Sequence, residues 1–408
     1  MMVIVAVALA LALVLSVIPA QAAGPVLGPR QELTVFDKPH EAHVSAPAVA
    51  VTRDGRTVLA WIAQQGHDNN LFVAQPGSAP KPVRVNPEGL FVDSLHQPPG
   101  LALGPGDEIY VSWSSAKPVP DGGLFASDLR LSRSLDGGRT FESPLRVNED
   151  RPISHSFEGL GVAPNGTVIV AWIDSRDGAN TAGTYLARVV ERGSRVERTL
   201  KLDEGETCVC CRVDVAAGPG ETIAVAWRKV FPGSIRDMVV GLSRDGARSF
   251  APPGLVHADR WKINACPHRG GSAAMDDRGR LYLAWYTEAA DGQPRILFAV
   301  AGDGSRFGPP SRLNTAAGYI PDQVRLAADP AGRVVIVWEE ATAVRRRVML
   351  RYSIDGGRTL SAAQALSQAL KAYAPDVAVA PSGDFVVAWH EEQFPVFKTV
   401  TQAIRLLK

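Results

Sequence analysis

Apolar and polar residues alternate along this chain in short runs that recur at a regular interval. Each run leads into a tight turn rich in Gly, Pro and Asp, and a second β-rich run ending in Trp follows. Alternation with a period of two indicates strands, and the turn chemistry indicates hairpins. Seven segments follow this template: "APAVAVTRDGRTVLAW", "PGLALGPGDEIYVSW", "EGLGVAPNGTVIVAW", "RVDVAAGPGETIAVAW", "GSAAMDDRGRLYLAW", "VRLAADPAGRVVIVW" and "PDVAVAPSGDFVVAW".

The closing tryptophans mark one structural position in the repeat. They follow one another at spacings of 51 to 59 residues: Trp61, Trp113, Trp172, Trp227, Trp285, Trp338 and Trp389. The residues between templates suit a third and a fourth strand, and no stretch shows helical periodicity. Four strands per repeat in a radial array form a β-propeller. We therefore predict an all-β chain folded as a single β-propeller of four-stranded blades, with seven blades, or six as the alternative.

The last repeat ends one strand short. The segment "QELTVFD", residues 31–37, offers a spare strand before the first template. Pairing of this strand beside the final blade would close the ring and remove the open sheet edges.

Residues 1–22 have the pattern of a secretory signal peptide, with an apolar run followed by Ala20-Gln21-Ala22. No Lys or Arg precedes the apolar run, so an uncleaved membrane anchor stays open as the alternative. No later segment is apolar enough to span a bilayer. We expect residues 23–408 to form the propeller domain of an exported protein, periplasmic or extracellular.

The net charge of +1 comes without a long basic run. This composition argues against nucleic acid, or an anionic membrane surface, as the main partner.

We expect a monomer that takes a small-molecule, glycan or protein ligand at the mouth of the central channel.

Three turns between predicted third and fourth strands share one pattern: "SLDGGRTF", "SRDGARSF" and "SIDGGRTL". A carboxylate in such a turn can accept backbone N–H groups, Gly allows positive φ, and the last apolar residue packs beneath the turn. We expect a structural role for the residues of this motif: Ser134, Asp136, Gly138, Phe141, Ser243, Asp245, Phe250, Ser353, Asp355 and Gly357.

With this motif the chain resembles the sialidase (Asp-box, or BNR-repeat) superfamily of β-propellers over nearly its whole mature length. The resemblance implies that the Asp boxes lie on the face away from the active site. Sialidases have six blades, and they use an arginine triad, a Tyr–Glu pair and an Asp acid/base. The early Arg-Ile-Pro phrase of that family is missing here. The alternative function is therefore an exo-α-sialidase-type glycoside hydrolase on acidic sugars, with these candidate residues near blade entrances: Arg212, Arg269, Arg325, Tyr319 and Tyr373.

The four cysteines fall in two phrases, "TCVCCR" and "NACPHRGG", at the entrances of neighbouring repeats. In a propeller these entrance loops open on one face, so we expect the two phrases to converge near the channel mouth. These two motifs resemble the T-C-x-C-C-R and C-P-H-x-G phrases of an exported bacterial subgroup of sialidase-like proteins. The resemblance implies that the two phrases work together. The candidate ligands are Cys208, Cys210, Cys211, Cys266 and His268, with His43, His96 and His155 as weaker candidates.

Two interpretations of this Cys/His cluster stay open. Thiolates and imidazoles suit a soft or borderline metal ion, copper(I) or zinc(II), or a redox role. In an oxidising compartment, the cysteines could instead form disulfides that staple the two blades of a non-catalytic binding platform. The first interpretation is our main hypothesis for function.

Overall fold

A computed structural model of the chain describes residues 24–36, 44–77, 81–117, 125–178, 181–289, 291–393 and 396–407. These residues form strands, turns and loops without a helix. The predicted signal peptide and His43 lie outside the described residues. Within them, no helix is long and apolar enough to cross a membrane.

Five sheets have four antiparallel strands each, and every strand pairs with the strand that follows it in the chain. They comprise β2 (Ala48–Val51), β3 (Thr57–Gln65), β4 (Asp68–Ala74) and β5 (Val83–Arg84); β6 (Gly100–Leu103), β7 (Ile109–Ala116), β8 (Ser127–Ser134) and β9 (Leu145–Arg146); β10 (His155–Val162), β11 (Val168–Asp174), β12 (Gly183–Val190) and β13 (Arg195–Lys201); β14 (Asp214–Ala217), β15 (Ile223–Phe231), β16 (Ile235–Ser243) and β17 (Gly254–Leu255); and β18 (Gly271–Met275), β19 (Leu281–Thr287), β20 (Arg295–Ala301) and β21 (Ser311–Arg312).

The remaining strands form one larger sheet. They are β22 (Ile320–Ala328), β23 (Val334–Ala341), β24 (Arg346–Ser353), β25 (Gln364–Ala365), β26 (Lys371–Val379), β27 (Phe385–Gln393), β28 (Val396–Arg405) and the N-terminal strand β1 (Val26–Phe36). A single parallel pairing, Arg346 with Lys371, joins the half that contains β22–β25 to the half that contains β26–β28 and β1.

The N-terminal strand runs antiparallel to the last strand of the chain. Gln31 lies opposite Thr401, and the pairing begins earlier than the sequence predicts, with Val26 opposite Arg405. The first and last sheets also touch each other. The backbone N–H of Val49 donates to Asp376 Oδ2 at 2.8 Å, and an apolar cluster joins Trp61 and neighbouring residues to β27.

The repeated tryptophans form the core between the sheets and are at most 2% exposed. The second strands do not end at Trp, as the sequence template suggests, but continue past it. In the strand β11, the Nε1 of Trp172 donates to Asp174, the last residue of the strand, at 3.0 Å. The same pairing with the residue two positions on recurs at Trp338 with Glu340 and at Trp389 with Glu391.

The three Asp-box turns share one hydrogen-bond pattern. Asp136 Oδ1 accepts the backbone N–H groups of Arg139 and Thr140, each at 3.0 Å, and Ser134 Oγ donates to the same oxygen at 2.8 Å. A hydrogen bond from the Thr140 hydroxyl is the main cause that holds the pKa of Asp136 far below its usual range. Asp245 and Asp355 make equivalent bonds.

The Asp-box turns and the cysteine phrase lie at opposite ends of a sheet. Ser243, which begins the second box, pairs with Ile223 at the start of β15. Thr207, next to the first cysteine, bridges to Lys229 near the end of the same strand. The antiparallel register therefore separates the two motifs along the length of β15.

Candidate functional site

Three thiols meet in the loop between β13 and β14. Cys208, Cys210 and Cys211, here called the thiol triad, have Sγ atoms that all lie within 4.8 Å of one another. Cys208 Sγ is 3.0 Å from Cys211 Sγ and 3.9 Å from Cys210 Sγ. The backbone explains the convergence, because Cys211 N–H donates to Cys208 O and closes a tight turn.

The triad is enclosed by protein, with no cysteine of the three more than 3% exposed. The Cys208 N–H donates to the carbonyl oxygen of Arg228 at 2.9 Å, which fixes the loop to β15. The Nη1 of Arg236, on β16, lies 3.2 Å from Cys208 Sγ and 2.6 Å from the carbonyl oxygen of Ala265. One guanidinium group therefore connects the triad to the loop that carries the second cysteine phrase.

The three thiols differ in acidity. Hydrogen-bonded contacts with Cys210 and Cys211 hold the pKa of Cys208 well below its usual range, and the positive charge of Arg236 adds to this effect. The contact with Cys208 raises the pKa of Cys210, and burial raises the pKa of Cys211. Cys208 is therefore the thiol that most readily exists as a thiolate, the form that binds metals.

All four cysteines are free, which corrects the expectation of disulfides that staple neighbouring blades. Even the closest pair of sulfurs, in Cys208 and Cys211, is separated by 3.0 Å, longer than the ~2.05 Å of a disulfide bond. Cys266 lies on a different loop and is exposed. The three buried thiols thus face one another without a covalent link.

Cys266 and His268 stand apart from the triad but line the same large cavity as Cys210. His268 has a positive φ of 53°. Its ring centroid is 5.9 Å from that of His96, which approaches from another entrance loop. Partial burial, with the charge of His96, lowers the pKa of His268.

His155 is enclosed within the fold. Its Nδ1 lies 2.6 Å from the carbonyl oxygen of Ser127, and its Nε2 lies 3.6 Å from Asp174 Oδ2. Burial lowers the pKa of this histidine. Its ring nitrogens face these protein groups, and it does not join the thiol triad.

The large cavity has a volume of about 1060 Å³. Its wall contains the two carboxyl groups of Asp93 and Glu158 and the thiols of Cys210 and Cys266. The surrounding protein atoms partly desolvate Asp93 and raise its pKa to about 7. The side chain is still solvent-accessible, because it faces the open cavity. Burial also raises the pKa of Glu158.

The three candidate arginines come together around a neighbouring small cavity of about 30 Å³. Arg269 forms a bidentate ion pair with Asp322, at 2.9 and 3.0 Å, and its guanidinium carbon lies 4.3 Å from the ring centroid of Tyr286. Arg212 Nε donates to the carbonyl oxygen of Glu158 at 2.8 Å. We call this cavity the arginine pocket.

The third arginine, Arg325, lies 3.8 Å from Asp376. The two candidate tyrosines are elsewhere and do not line the arginine pocket. Tyr319 and Tyr373 instead stack against Arg347 and Arg346, with guanidinium carbons 3.9 and 4.0 Å from the ring centroids.

The sequence patterns do not predict three residues of these cavities and of the triad: Arg236, Asp93 and Tyr286. Arg236 stands 28 positions from Cys208, and only the hairpin register of β15 and β16 brings it to the triad. No local pattern marks it. Asp93 and Tyr286 lie beside motifs that the sequence does display, in the phrase "DSLHQPPG" and directly after Trp285.

Comparison with solved structures identifies propellers of carbohydrate-active proteins. A polysaccharide lyase described as an ulvan lyase matches at 11% identity with a TM-score of 0.59, over 90% of this chain and 95% of its own. An α-L-arabinanase from Penicillium chrysogenum matches at 13% identity with a TM-score of 0.51, over 76% of this chain and 92% of its own. A mutant of the sialidase NanB from Streptococcus pneumoniae matches at 8% identity with a TM-score of 0.51, over 86% of this chain and 84% of its own.

No protein-family model matches the chain, and no curated protein matches it in sequence. At these identities the structural matches show the fold. The chain is all-β, is built of four-stranded sheets, and shares its architecture with sialidases, arabinanases and polysaccharide lyases.

Proposed function

We propose that this protein binds one thiophilic metal ion, copper(I) in preference to zinc(II), at Cys208, Cys210 and Cys211. The observation that carries the proposal is the convergence of three free, buried thiols whose Sγ atoms lie within 4.8 Å of one another. Thiolate ligands select copper(I) and zinc among the common metals.

The donor set favours copper(I) over zinc(II). Structural zinc sites hold four protein ligands, and the compact cluster offers three sulfurs, with Cys266 and His268 outside it. A three-sulfur set satisfies copper(I) without a fourth protein ligand. Because Cys210 also lines the large cavity, an ion can reach the triad from that side.

The surroundings of the triad support binding of a metal–thiolate group. A copper(I) ion with three thiolates carries net negative charge, and such a buried charge needs a cationic or hydrogen-bonding partner. Arg236, 3.2 Å from Cys208 Sγ, supplies both. Loss of a side chain that hydrogen-bonds to a metal ligand typically changes metal affinity about 10- to 100-fold.

The proposal is tested by titrating reduced protein with copper(I), under anaerobic conditions, in competition with a chromogenic copper(I) chelator. We expect one ion per chain. The variant Cys208→Ser should lose this binding, while Cys266→Ser, which alters a thiol outside the triad, should keep it. Failure of reduced, folded protein to compete with the chelator would refute the proposal.

We further propose that the sheets form seven blades closed into one ring. In the larger sheet, a single parallel residue pair, Arg346 with Lys371, joins two four-stranded halves. Counting each half as one blade gives seven blades. The contact between Val49 and Asp376 supports closure of the ring. A crystal structure with six blades, or with β1 unpaired, would contradict it.

The pattern of residues 1–22 supports an exported protein of the sialidase-like type, in which the metal site would face an oxidising compartment. Mass spectrometry of protein made from the full chain tests this part. The expected mature protein begins near Ala23, and retention of the whole segment would favour the membrane anchor.

A second candidate function is recognition of an acidic sugar, with hydrolysis in the manner of an exo-α-sialidase. The observation in its favour is the convergence of Arg212, Arg269 and Arg325 on the arginine pocket, because guanidinium groups bind carboxylates well. The positions of Tyr319 and Tyr373 against other arginines weigh against the hydrolytic step. We expect negligible release of the fluorophore from a fluorogenic sialoside, and robust turnover abolished by Arg269→Leu would promote this candidate.

A further inference from the structure

The large cavity is mainly apolar, although it also reaches the thiol triad. Most of its wall consists of aliphatic, aromatic and proline side chains, among them Ile62, Val92, Phe125, Ile153, Phe157 and Ile173. At about 1060 Å³, it has the size of a small-molecule site, which is typically ~300–1,000 Å³ with few polar groups. A wall of this kind suits a ligand with an apolar body.

Asp93 is the acidic group in this wall without a cationic partner among the described residues. The Ser114 hydroxyl donates to Asp93 Oδ2 at 2.7 Å, and the other charge that acts on Asp93 is the negative charge of Glu158. The nearby cation, Lys117, is engaged with Asp128 and Asp150.

Glu158 differs from Asp93 because Arg212 offsets its charge. It is 4% exposed, and the cavity wall also contains it. Of the two carboxyl groups in this wall, Asp93 is therefore the one whose charge a cationic ligand can neutralise.

Trp113 adds a hydrogen-bond donor without an acceptor. It lines the cavity and is 1% exposed, and its Nε1 has no partner among the residues that the structure describes. Three equivalent tryptophans, Trp172, Trp338 and Trp389, donate to carboxylates two positions later, whereas the Nε1 of Trp227, like that of Trp113, has no partner among the described residues. The residue two positions after Trp113 is Ser115, whose hydroxyl donates elsewhere, to the carbonyl oxygen of Asp128.

We propose that the large cavity binds an apolar organic amine that carries an oxygen acceptor. The ammonium group pairs with Asp93, the apolar body packs on the wall beside Phe157, and the oxygen accepts from Trp113 Nε1 after a small shift of the ring. This site is independent of the metal proposed at the triad.

Isothermal titration calorimetry at pH 8, with metal-free protein, tests the proposal with three probes of one size: 2-amino-1-phenylethanol, 2-phenylethylamine and phenylacetate. We expect the amines to bind at least 10-fold more tightly than phenylacetate, and the amino alcohol more tightly than the amine. Equal affinity for amine and carboxylate would overturn the proposal. Equal affinity for the two amines would overturn the role of Trp113.

The variant Asp93→Asn isolates the carboxylate, since the amide keeps the shape of the side chain. We expect it to lose at least 10-fold in affinity for 2-phenylethylamine, whereas Asp68→Asn, an exposed change outside the cavity, leaves the affinity unchanged. Unaltered amine affinity in Asp93→Asn would overturn the assignment. The comparison of probes on the unmodified protein remains decisive if the variant does not fold.

Discussion

Arg236 Nη1 lies 3.2 Å from the Sγ of Cys208 and 2.6 Å from the carbonyl oxygen of Ala265. This one side chain joins the two cysteine-containing phrases, which are separated by more than 50 positions in the sequence. It places a permanent positive charge beside the thiol with the lowered pKa. Because of this contact, we expect substitution of Arg236 to affect metal binding more than substitution of any other residue outside the triad.

We therefore predict that Arg236→Gln weakens copper(I) binding by roughly 10- to 100-fold, the range typical of outer partners of metal ligands. The physical reason is the loss of positive charge and of the hydrogen bond to Cys208 Sγ. Competition with a copper(I) chelator measures the change. Arg236→Lys should recover part of the affinity because the charge is kept, and equal affinities in all three proteins would contradict this role.

The contrast between Cys210→Ser and Cys266→Ser tests which thiols belong to the site. Removal of a direct ligand should cost more than the loss of an outer partner, so Cys210→Ser should lower the affinity by more than roughly 100-fold. Cys266→Ser should change it less than about twofold, because Cys266 stands outside the compact cluster. A large loss in Cys266→Ser would show that the site extends across both loops.

Asp136→Asn should destabilise the protein without affecting metal binding. The carboxylate accepts two backbone N–H groups and two hydroxyls, and loss of such hydrogen bonds costs about 1–3 kcal/mol. Chemical denaturation measures the free energy of unfolding. Asp277→Asn, on an exposed residue whose carboxylate takes no hydrogen bond among the described residues, is the control and should be neutral. A weaker metal affinity in Asp136→Asn would show that this Asp-box turn and the thiol triad are not independent.

His390 should make stability depend on pH. Burial lowers the pKa of His390 from 6.5 to about 4 in the folded protein, where its Nε2 lies 2.9 Å from the Ser45 carbonyl oxygen. Its contribution to stability is present above pH 6.5 and is lost as the pH falls toward 4, because the unfolded chain binds the proton first. At about 1.4 kcal/mol per pH unit, the full loss approaches roughly 3 kcal/mol.

Carboxyl groups whose pKa is raised, such as that of Asp93, act in the opposite direction over the same pH range. The measurement is therefore the difference in unfolding free energy between the native protein and His390→Gln, taken at pH 7, 6, 5 and 4. We expect the difference to shrink steadily toward acid pH. A constant difference would contradict the assignment.

The sequence predicted the strands well because each hairpin carries its own signal. Alternation, turn residues and a buried tryptophan are local features, and the hairpins that contain Trp172 and Trp227, β10–β11 and β14–β15, appear where the template places them. Arg212, Arg269 and Arg325, which the sequence places near the entrances of successive repeats, also line one pocket.

The details of the candidate site could not be predicted in the same way. The triad forms through a turn closed between Cys211 and Cys208, whose geometry the spacing of three cysteines does not specify. His155 occupies an entrance position like the cysteines, yet contacts with Ser127 and Asp174 enclose it. The Arg236 contact depends on strand register, which a single sequence does not reveal.

The most direct test of the metal site is X-ray absorption at the copper edge, on protein loaded with one equivalent of copper(I) under reducing conditions. We predict that three sulfur atoms coordinate the copper(I) ion in the native protein. In Cys210→Ser one sulfur should be lost, and in Cys266→Ser the shell should be unchanged. A shell dominated by nitrogen or oxygen, or one that loses sulfur in Cys266→Ser alone, would contradict binding at Cys208, Cys210 and Cys211.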